Sequence, residues 1–235
     1  MEIQQQLQVN LQRVNEKIAQ AAAKAGKNPQ EITLVAVTKT VSAEIVQALI
    51  SLGVQNIGEN RVQDAQEKWE ILHTAYPTIR WHMIGHLQRN KVKTALKIFD
   101  IIHSIDSLDL GDEIAERASV DIPILLEVNI SREPNKHGFD PTHLQDEIEP
   151  MLRVPHLKIQ GLMGMAPLTS DLEVCRQCFI ELRQLKDQLN HAYQGRLDLH
   201  HLSMGMSQDY EIAIEEGATI IRVGSALFDG IPSSK

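Results

Sequence analysis

The apolar residues of this chain follow two periods that alternate along its length. Short runs rich in β-branched residues, which are typical of strands, precede stretches with apolar residues at every third or fourth position, which are typical of helices. There are eight strand-like runs: ITLVAVT, QNIGEN, RWHMIG, IIHSID, IPILLEV, KIQGLMGM, LHHLSMG and TIIRVG. Helical stretches such as SAEIVQALISLG, RVQDAQEKWEILHTAY and LEVCRQCFIELRQLKDQLNHAY separate them.

An additional amphipathic helix precedes the first strand. Its apolar residues recur at spacings of three and four, and they are Ile3, Leu7, Leu11, Val14 and Ile18. Gly26, followed by Pro29, marks the end of this helix.

The strict alternation of strand and helix requires parallel pairing, because a parallel crossover takes a dozen or more residues and normally uses a helix. Eight such units predict an α/β fold, a (β/α)8 TIM barrel that forms one domain over residues 1–235. An open, doubly wound sheet is the alternative architecture. Composition shifts, repeats and low-complexity linkers that would mark a second domain do not occur.

Composition narrows the class of function. The formal net charge of −8 and the 4% aromatic content disfavour nucleic acid as a partner. The polar N-terminal segment does not resemble a secretory signal, and no apolar run is as long as a membrane span. The two cysteines, Cys175 and Cys178, are too few for a disulfide framework and fit packing within a long helix. These features predict a cytoplasmic protein without a membrane partner.

Polar residues stand at the C-terminal ends of most predicted strands, where barrels build their active sites. Lys39 ends the first strand, and it is followed in order by Asn60, His82, Ser104 and Asp106, Glu127 and Asn129, Ser203 and Arg222. Lys39 alone could be a solvated surface lysine. At a barrel mouth facing Arg222, partial desolvation would disfavour its ammonium form, and a neutral amine attacks a carbonyl to form a Schiff base. The position therefore predicts a carbonyl ligand.

The segments after the last two strands predict a phosphate site. SMGMS supplies the hydroxyls of Ser203 and Ser207, and RVGSALF supplies the amides of Gly224 and Ser225 at the start of a short last helix. Barrels bind phosphate at these loops, because unpaired N–H groups and the helix dipole point at the anion. Ser207 could instead be the N-cap of a helix that begins near Asp209.

Arg222 stands two residues before Gly224 and is a permanent, donor-only cation. It could pair with a mouth carboxylate such as Asp106 or Glu127. A Schiff-base lysine, a phosphate site and an arginine that meets a ring nitrogen together describe a site for pyridoxal 5′-phosphate. An arginine donor keeps that nitrogen unprotonated, which disfavours decarboxylase and transaminase chemistry.

Several motifs in fixed order resemble the pyridoxal phosphate homeostasis protein family. They are AVTK, IGENRVQ, WHMIGHLQRNK, GLMGMAP and LSMGMSQDYEIAIEEGATIIRVG, and the similarity covers residues 3–228. The resemblance implies a barrel similar to the N-terminal domain of alanine racemases, which binds the cofactor without an established enzymatic activity. It also implies a role for each of the candidate residues: Lys39 as the Schiff-base lysine, Asn60 beside the cofactor, Ser203, Ser207, Gly224 and Ser225 at the phosphate, Arg222 at the ring nitrogen, His82 and Met204 along the pocket, and Lys136 as a second lysine able to meet the aldehyde.

The leading hypothesis is a monomeric, non-catalytic carrier that buffers the cofactor or delivers it to apo-enzymes. An amino-acid racemase is the enzyme alternative, but it needs a second acid–base group such as tyrosine, and the chain has only Tyr76, Tyr193 and Tyr210. A Schiff-base aldolase acting on a sugar phosphate is the third class. No bound metal is predicted, because no third ligand at a fixed spacing accompanies His200 and His201.

Overall fold

Eight parallel strands close into a barrel in the computed structural model, which describes residues 2–134 and 136–233. The strands follow one another around the barrel in chain order, and the last pairs with the first, so the prediction of a (β/α)8 barrel is confirmed and the open sheet is wrong. Their bounds are β1 (Thr33–Val37), β2 (Asn56–Glu59), β3 (Arg80–Met83), β4 (Ile101–Ile105), β5 (Ile122–Val128), β6 (Leu157–Gly164), β7 (His201–Ser203) and β8 (Ile220–Val223).

A helix precedes β1 and another follows each of the first seven strands. Their bounds are α1 (Glu2–Lys24), α2 (Ala43–Ser51), α3 (Val62–Leu72), α4 (Val92–Ile98), α5 (Leu108–Arg117), α6 (Leu144–Met151), α7 (Leu172–Ala192) and α8 (Tyr210–Glu215). The short last helix that we predict after β8 does not form, and residues 225–230 make turns instead. None of the helices in the described ranges combines the length and apolar character that crossing a lipid bilayer requires.

Side chains of each strand alternate between the barrel interior and the layer of helices. On β8, Ile220 packs with Val35 and Leu125 in an interior cluster, whereas Ile221 and Val223 belong to the larger core between barrel and helices. Arg222 lies two residues after Ile220 and therefore shares its inward face, nearer to the C-terminal end of the strand. The strand period thus directs a buried guanidinium towards the mouth.

The helix α1 packs on the outside of the barrel and ties together the two ends of the chain. Of the five apolar residues that predict this helix, Leu7, Leu11, Val14 and Ile18 are buried and Ile3 is exposed. Two ion pairs, Lys17 with Glu211 and Lys24 with Glu215, join it to α8. The buried side chain of Asn10 donates to the carbonyls of Leu227 and Asp229 at 2.9 and 2.8 Å, which fixes the turns after β8.

Candidate functional site

A cavity of about 530 Å³ lies at the C-terminal ends of the strands and is within the size range of small-molecule sites. Residues that end or follow β1, β2, β3, β6 and β8 contribute to its wall, so the cavity lies at the end of the barrel where the sequence predicts the site. Seven of the predicted site residues line it: Lys39, Asn60, Lys136, Ser207, Arg222, Gly224 and Ser225. His82, Ser203 and Met204 do not lie on this wall.

Lys39 lies in the turn that follows β1. The expected desolvation is wrong, because the residue is exposed at the rim of the cavity. Within the described ranges its ammonium makes no ion pair, so the amine is not committed to a carboxylate. An accessible lysine that shares a cavity with Arg222 has the placement that reaction with a small aldehyde requires.

A buried ion pair fixes the backbone next to Lys39. Lys68 of α3 donates to Glu59 Oε1 at 2.5 Å and to the Thr38 carbonyl at 2.6 Å, and the Thr38 hydroxyl donates to the same Glu59 oxygen at 2.6 Å. Glu59 and Thr38 are fully buried. The sequence did not reveal this role of Lys68, because a lysine in a helical segment is normally solvated.

At the predicted phosphate site, two backbone N–H groups donate to the same hydroxyl. The N–H groups of Gly224 and Ala226 both donate to Ser207 Oγ, at 3.1 and 3.2 Å. Two amides aimed at one acceptor form the kind of concavity that binds an anionic oxygen. Ser207 is therefore not the N-cap of α8, whose N-cap is Asp209. The second amide that donates to Ser207 Oγ is that of Ala226, and Ser225 lines the cavity beside it.

Gly224 allows the backbone to approach the first strand at this point. A Cβ atom on Gly224 would lie 3.3 Å from the Cβ atom of Val37, which also lines the cavity. Contacts of that length are tighter than ordinary van der Waals packing, so a side chain here would press on the cavity wall. The glycine therefore keeps the donor pair of Gly224 and Ala226 close to the turn that carries Lys39.

Arg222 is buried and reaches the floor of the cavity. Its guanidinium donates to Ser203 Oγ at 2.5 Å and to the Gly164 carbonyl at 3.1 Å. Burial lowers the pKa of Arg222 to about 10, while Glu127 and Asp209 oppose that shift, so the side chain stays cationic at neutral pH. The alternative of a direct ion pair with Glu127 or Asp106 is not realised among the described residues.

Ser203 supports Arg222 and does not line the cavity. Besides accepting from Arg222, its hydroxyl lies 2.9 Å from His103 Nδ1, and His103 Nε2 lies 2.9 Å from His82 Nδ1. Burial lowers the pKa of His82 to about 3 and that of His103 well below its ordinary value, so both rings are neutral near pH 7. The structure therefore places His82 in a buried chain beneath the cavity, where it also contacts Asn56. The sequence did not point to His103, because the predicted site residues lie at the ends of strands and His103 lies in the middle of β4.

Met204 points away from the cavity. Ser203 faces the barrel interior, and because successive residues of an extended segment alternate in direction, Met204 faces the helices and joins the core between barrel and helices. β7 has only three residues, His201–Ser203, so the longer apolar run of the sequence does not reveal which residue is the last to face inward.

Asn60 and Gly85 form the opposite wall of the cavity. Asn60 Oδ1 is buried and has no hydrogen-bond partner among the described residues. A Cβ atom on Gly85 would lie 2.4 Å from the Asn60 carbonyl oxygen, so only glycine allows this approach. Buried polar atoms in folded proteins are normally paired, and an unpaired one in a cavity wall indicates a place for a ligand donor.

Lys136 reaches the same cavity from the segment after β5. Its ammonium pairs with Glu133, and this pairing lowers the pKa of the Glu133 carboxyl. The structure thus brings two lysines, Lys39 and Lys136, to one cavity, as the sequence predicts.

The barrel, with a lysine after its first strand and two backbone donors after its last, defines a protein of the alanine racemase N-terminal domain class, and the family model "Alanine racemase, N-terminal domain" matches residues 9–232. A curated relative from Aquifex aeolicus, named "Pyridoxal phosphate homeostasis protein", is 41% identical over 221 residues, which are 93% of this chain and 95% of the relative. The chain belongs to the pyridoxal phosphate homeostasis protein family.

Two solved structures are similar over nearly the whole chain. A protein of unknown function from Bifidobacterium adolescentis has a TM-score of 0.92 at 35% identity and covers 97% of this chain and 96% of its own. PipY of Synechococcus elongatus PCC7942, solved with PLP bound, has a TM-score of 0.80 at 34% identity and covers 90% of this chain and 99% of its own.

Proposed function

We propose that this protein is a non-catalytic carrier of pyridoxal 5′-phosphate, which it holds through an aldimine to Lys39 and buffers in the cell or delivers to apo-enzymes. The observation that carries the proposal is the shared cavity, whose wall includes the accessible amine of Lys39, the cationic Arg222 and the hydroxyl of Ser207. The similar protein PipY was solved with PLP bound. We also propose that the chain acts as a monomeric, single-domain barrel.

The chemistry of the wall matches the groups of this cofactor. Pyridoxal phosphate has an aldehyde, an aromatic ring nitrogen and a phosphate, and the cavity wall offers a suitable group for each. The amides of Gly224 and Ala226 donate to Ser207 Oγ in this structure and would supply two donors for phosphate when that hydroxyl turns away from them. Asn60 Oδ1 is an unpaired acceptor in the same wall. Ser225 lines the wall beside these amides and is assigned to the phosphate with them.

Arg222 favours binding over catalysis. A permanent cation that donates to the ring nitrogen competes with protonation there, and protonation is what makes the ring a strong electron sink. Its position is fixed by Ser203 and the Gly164 carbonyl, so it has little freedom to withdraw. Ser203 and His82 thereby influence the cofactor indirectly, because they hold Arg222 in place. Met204 contributes by packing behind β7.

A racemase would need a second acid–base group beside the cofactor. None of the three tyrosines lines the described wall of the cavity. Tyr210 is buried at the start of α8, where burial raises its pKa to about 12, and the Tyr193 hydroxyl donates to the Gln145 carbonyl. The positions of these tyrosines support the carrier over the racemase.

The covalent link is tested by absorbance and by chemical trapping. Wild-type protein incubated with pyridoxal phosphate should develop a visible aldimine band, and borohydride reduction should leave the cofactor mass on the peptide that contains Lys39. Lys39→Ala should lose both signals, whereas Lys97→Ala, which removes an exposed lysine of α4, should keep them. Equal labelling of Lys39 and Lys97, or the lack of any band in the wild type, would overturn the proposal.

Delivery is tested separately from storage. Loaded protein is mixed with an apo-enzyme, and the recovery of activity is compared with recovery in an equal concentration of free cofactor. Faster recovery from the loaded protein supports delivery, and equal rates assign the protein to storage.

Lys136→Ala should bind the cofactor and release it more slowly, in keeping with a second lysine that accepts the aldehyde. Racemisation of alanine by wild type and not by Lys39→Ala would replace the carrier with an enzyme.

A further inference from the structure

Two histidines and one aspartate meet beside the cofactor cavity, and no role proposed above uses them. His86 follows β3, Asp106 follows β4, and His137 belongs to the segment after β5. His86 Nδ1 lies 2.9 Å from Asp106 Oδ2, and His137 Nδ1 lies 3.5 Å from the same oxygen. The two imidazole rings stack with their centroids 3.9 Å apart and an interplanar angle of 12°.

The spacing of these atoms fits the coordination sphere of a small divalent cation. In a tetrahedral zinc site with bonds of about 2.0–2.1 Å, neighbouring ligand atoms lie roughly 3.3 Å apart. The observed separations of 2.9 and 3.5 Å lie on either side of that value, and the three ligand atoms all lie within 4.8 Å of one another. Both histidines are exposed, so their rings can rotate out of the stacked arrangement to direct both Nδ1 atoms at one ion.

We propose that His86, Asp106 and His137 bind a divalent transition-metal ion, with Zn²⁺ as the preferred cation. Two imidazoles and one carboxylate suit zinc and its neighbours, whereas magnesium and calcium prefer sites made of oxygen ligands. Three protein ligands leave a fourth tetrahedral position for water or a small anion.

The charges around the cluster are suited to a cation. Glu127, which is buried close to Asp106, is a second carboxyl group on the inner side, and burial raises its pKa to about 7, so a bound cation would favour its ionised form. The nearest lysine along the chain, Lys136, is paired with Glu133. The exposure of the two histidines gives an ion direct access from solvent.

The metal site is next to the cofactor cavity in the sequence as well as in space. Gly85 and Lys136 line that cavity, and His86 and His137 are the residues that follow them. A metal bound to both histidines and to Asp106 would hold the segment of Lys136 against the ends of β3 and β4. The ion would therefore restrain the second lysine without contacting the cofactor.

Metal binding is tested on full-length, tag-free Lys39→Ala protein, which carries no aldimine chromophore. After removal of metals with a chelator, Zn²⁺ is titrated calorimetrically, and Co²⁺ is titrated with detection of its visible absorption. We expect one ion per chain and a tetrahedral Co²⁺ spectrum. His86→Ala, His137→Ala and Asp106→Asn should each weaken Zn²⁺ binding by more than roughly 100-fold, the upper end of the loss caused by removing an outer-shell partner.

His143→Ala is the matched control, because His143 is an exposed histidine 3.8 Å from Asp140 without a second imidazole. It should bind Zn²⁺ like the parent protein. The proposal is overturned if the parent does not bind Zn²⁺, if its Co²⁺ complex lacks tetrahedral bands, or if His143→Ala weakens binding as much as His86→Ala does. Because no cofactor is present, these outcomes are independent of the carrier function.

Discussion

Replacing Lys68 by methionine should destabilise the protein strongly and impair cofactor uptake, although Lys68 does not line the cofactor cavity. The substitution keeps the length and apolar stem of the side chain and removes its ammonium group. Glu59 then loses its counter-charge, and the Thr38 carbonyl loses the donor that lies 2.6 Å away. Because Thr38 precedes Lys39, the turn that presents the reactive amine is loosened at the same time.

The expected magnitude follows from burial. Glu59 is fully buried and the Lys68 side chain is 10% exposed, so removing one partner leaves an uncompensated interior charge. Breaking such a pair costs about 3–5 kcal/mol of unfolding free energy. For a chain of this size, about 4 kcal/mol corresponds to a decrease in Tm of roughly 8–16 °C. The double variant Glu59→Gln/Lys68→Met removes both charges and should recover more than half of the loss.

Urea unfolding followed by circular dichroism measures the stability term, and the aldimine band measures uptake. Lys17→Met is the matched control, since Lys17 pairs with Glu211 at 2.6 Å but both side chains are substantially exposed, and it should cost at most about 1 kcal/mol. A Lys68→Met variant as stable as Lys17→Met would refute the reasoning. So would a double variant less stable than Lys68→Met alone.

Three further predictions concern other parts of the barrel. The pKa of His82 is about 3 in the folded protein and 6.5 in the unfolded chain, so the unfolded chain binds the proton first and the protein loses stability as pH falls below 6.5. His82→Gln should reduce the pH dependence of the unfolding free energy, measured in urea, by about 1.4 kcal/mol per pH unit near pH 5. An unchanged slope would contradict the buried neutral ring. Gly85→Ala places a methyl group 2.4 Å from the Asn60 carbonyl oxygen, and the resulting strain of about 1–3 kcal/mol should weaken cofactor binding in a titration. Gly111→Ala is the control, because its methyl group meets only the ends of side chains at 3.2–3.3 Å and should leave the affinity unchanged. Asn10→Ala removes both donors to the turns after β8 and should cost about 1–3 kcal/mol in urea unfolding, and a neutral effect would show that these bonds do not fix the turns.

The fold was predictable from the sequence because its determinants are local. The alternation of strand and helix periods gives eight parallel strands, and the described strands lie within one residue of the predicted runs or inside them. The missing last helix shows the limit of this reasoning. Residues 225–230 form turns that Asn10 holds from α1, and so distant a contact leaves no periodic signal.

The candidate site was predictable where a residue lies at or just after the end of a strand and lines the cavity, as Lys39, Asn60 and Arg222 do. The faces of Ser203 and Met204 could not be assigned, because a one-residue uncertainty in the end of β7 reverses both directions. The family model and the Aquifex aeolicus relative confirm the family that the motifs indicate.

The remaining site residues depend on tertiary structure. Lys68 lies on a helix, His103 lies within β4, and the two histidines of the candidate metal cluster come from separate loops. None of these positions has a fixed spacing to its partners, so only the closed barrel reveals which groups meet.

The bonds from Asn10 to the carbonyls of Leu227 and Asp229 also constrain the order of events during translation, because the first of them joins residues 217 positions apart. At a ribosomal rate of about 5–20 residues per second, the N-terminal helix waits on the order of 10–40 s for its C-terminal partners. During that interval its apolar face, with Leu7, Leu11 and Val14, has no completed barrel to cover it. We therefore expect the barrel to close only after β8 and the turns that follow it have been synthesised.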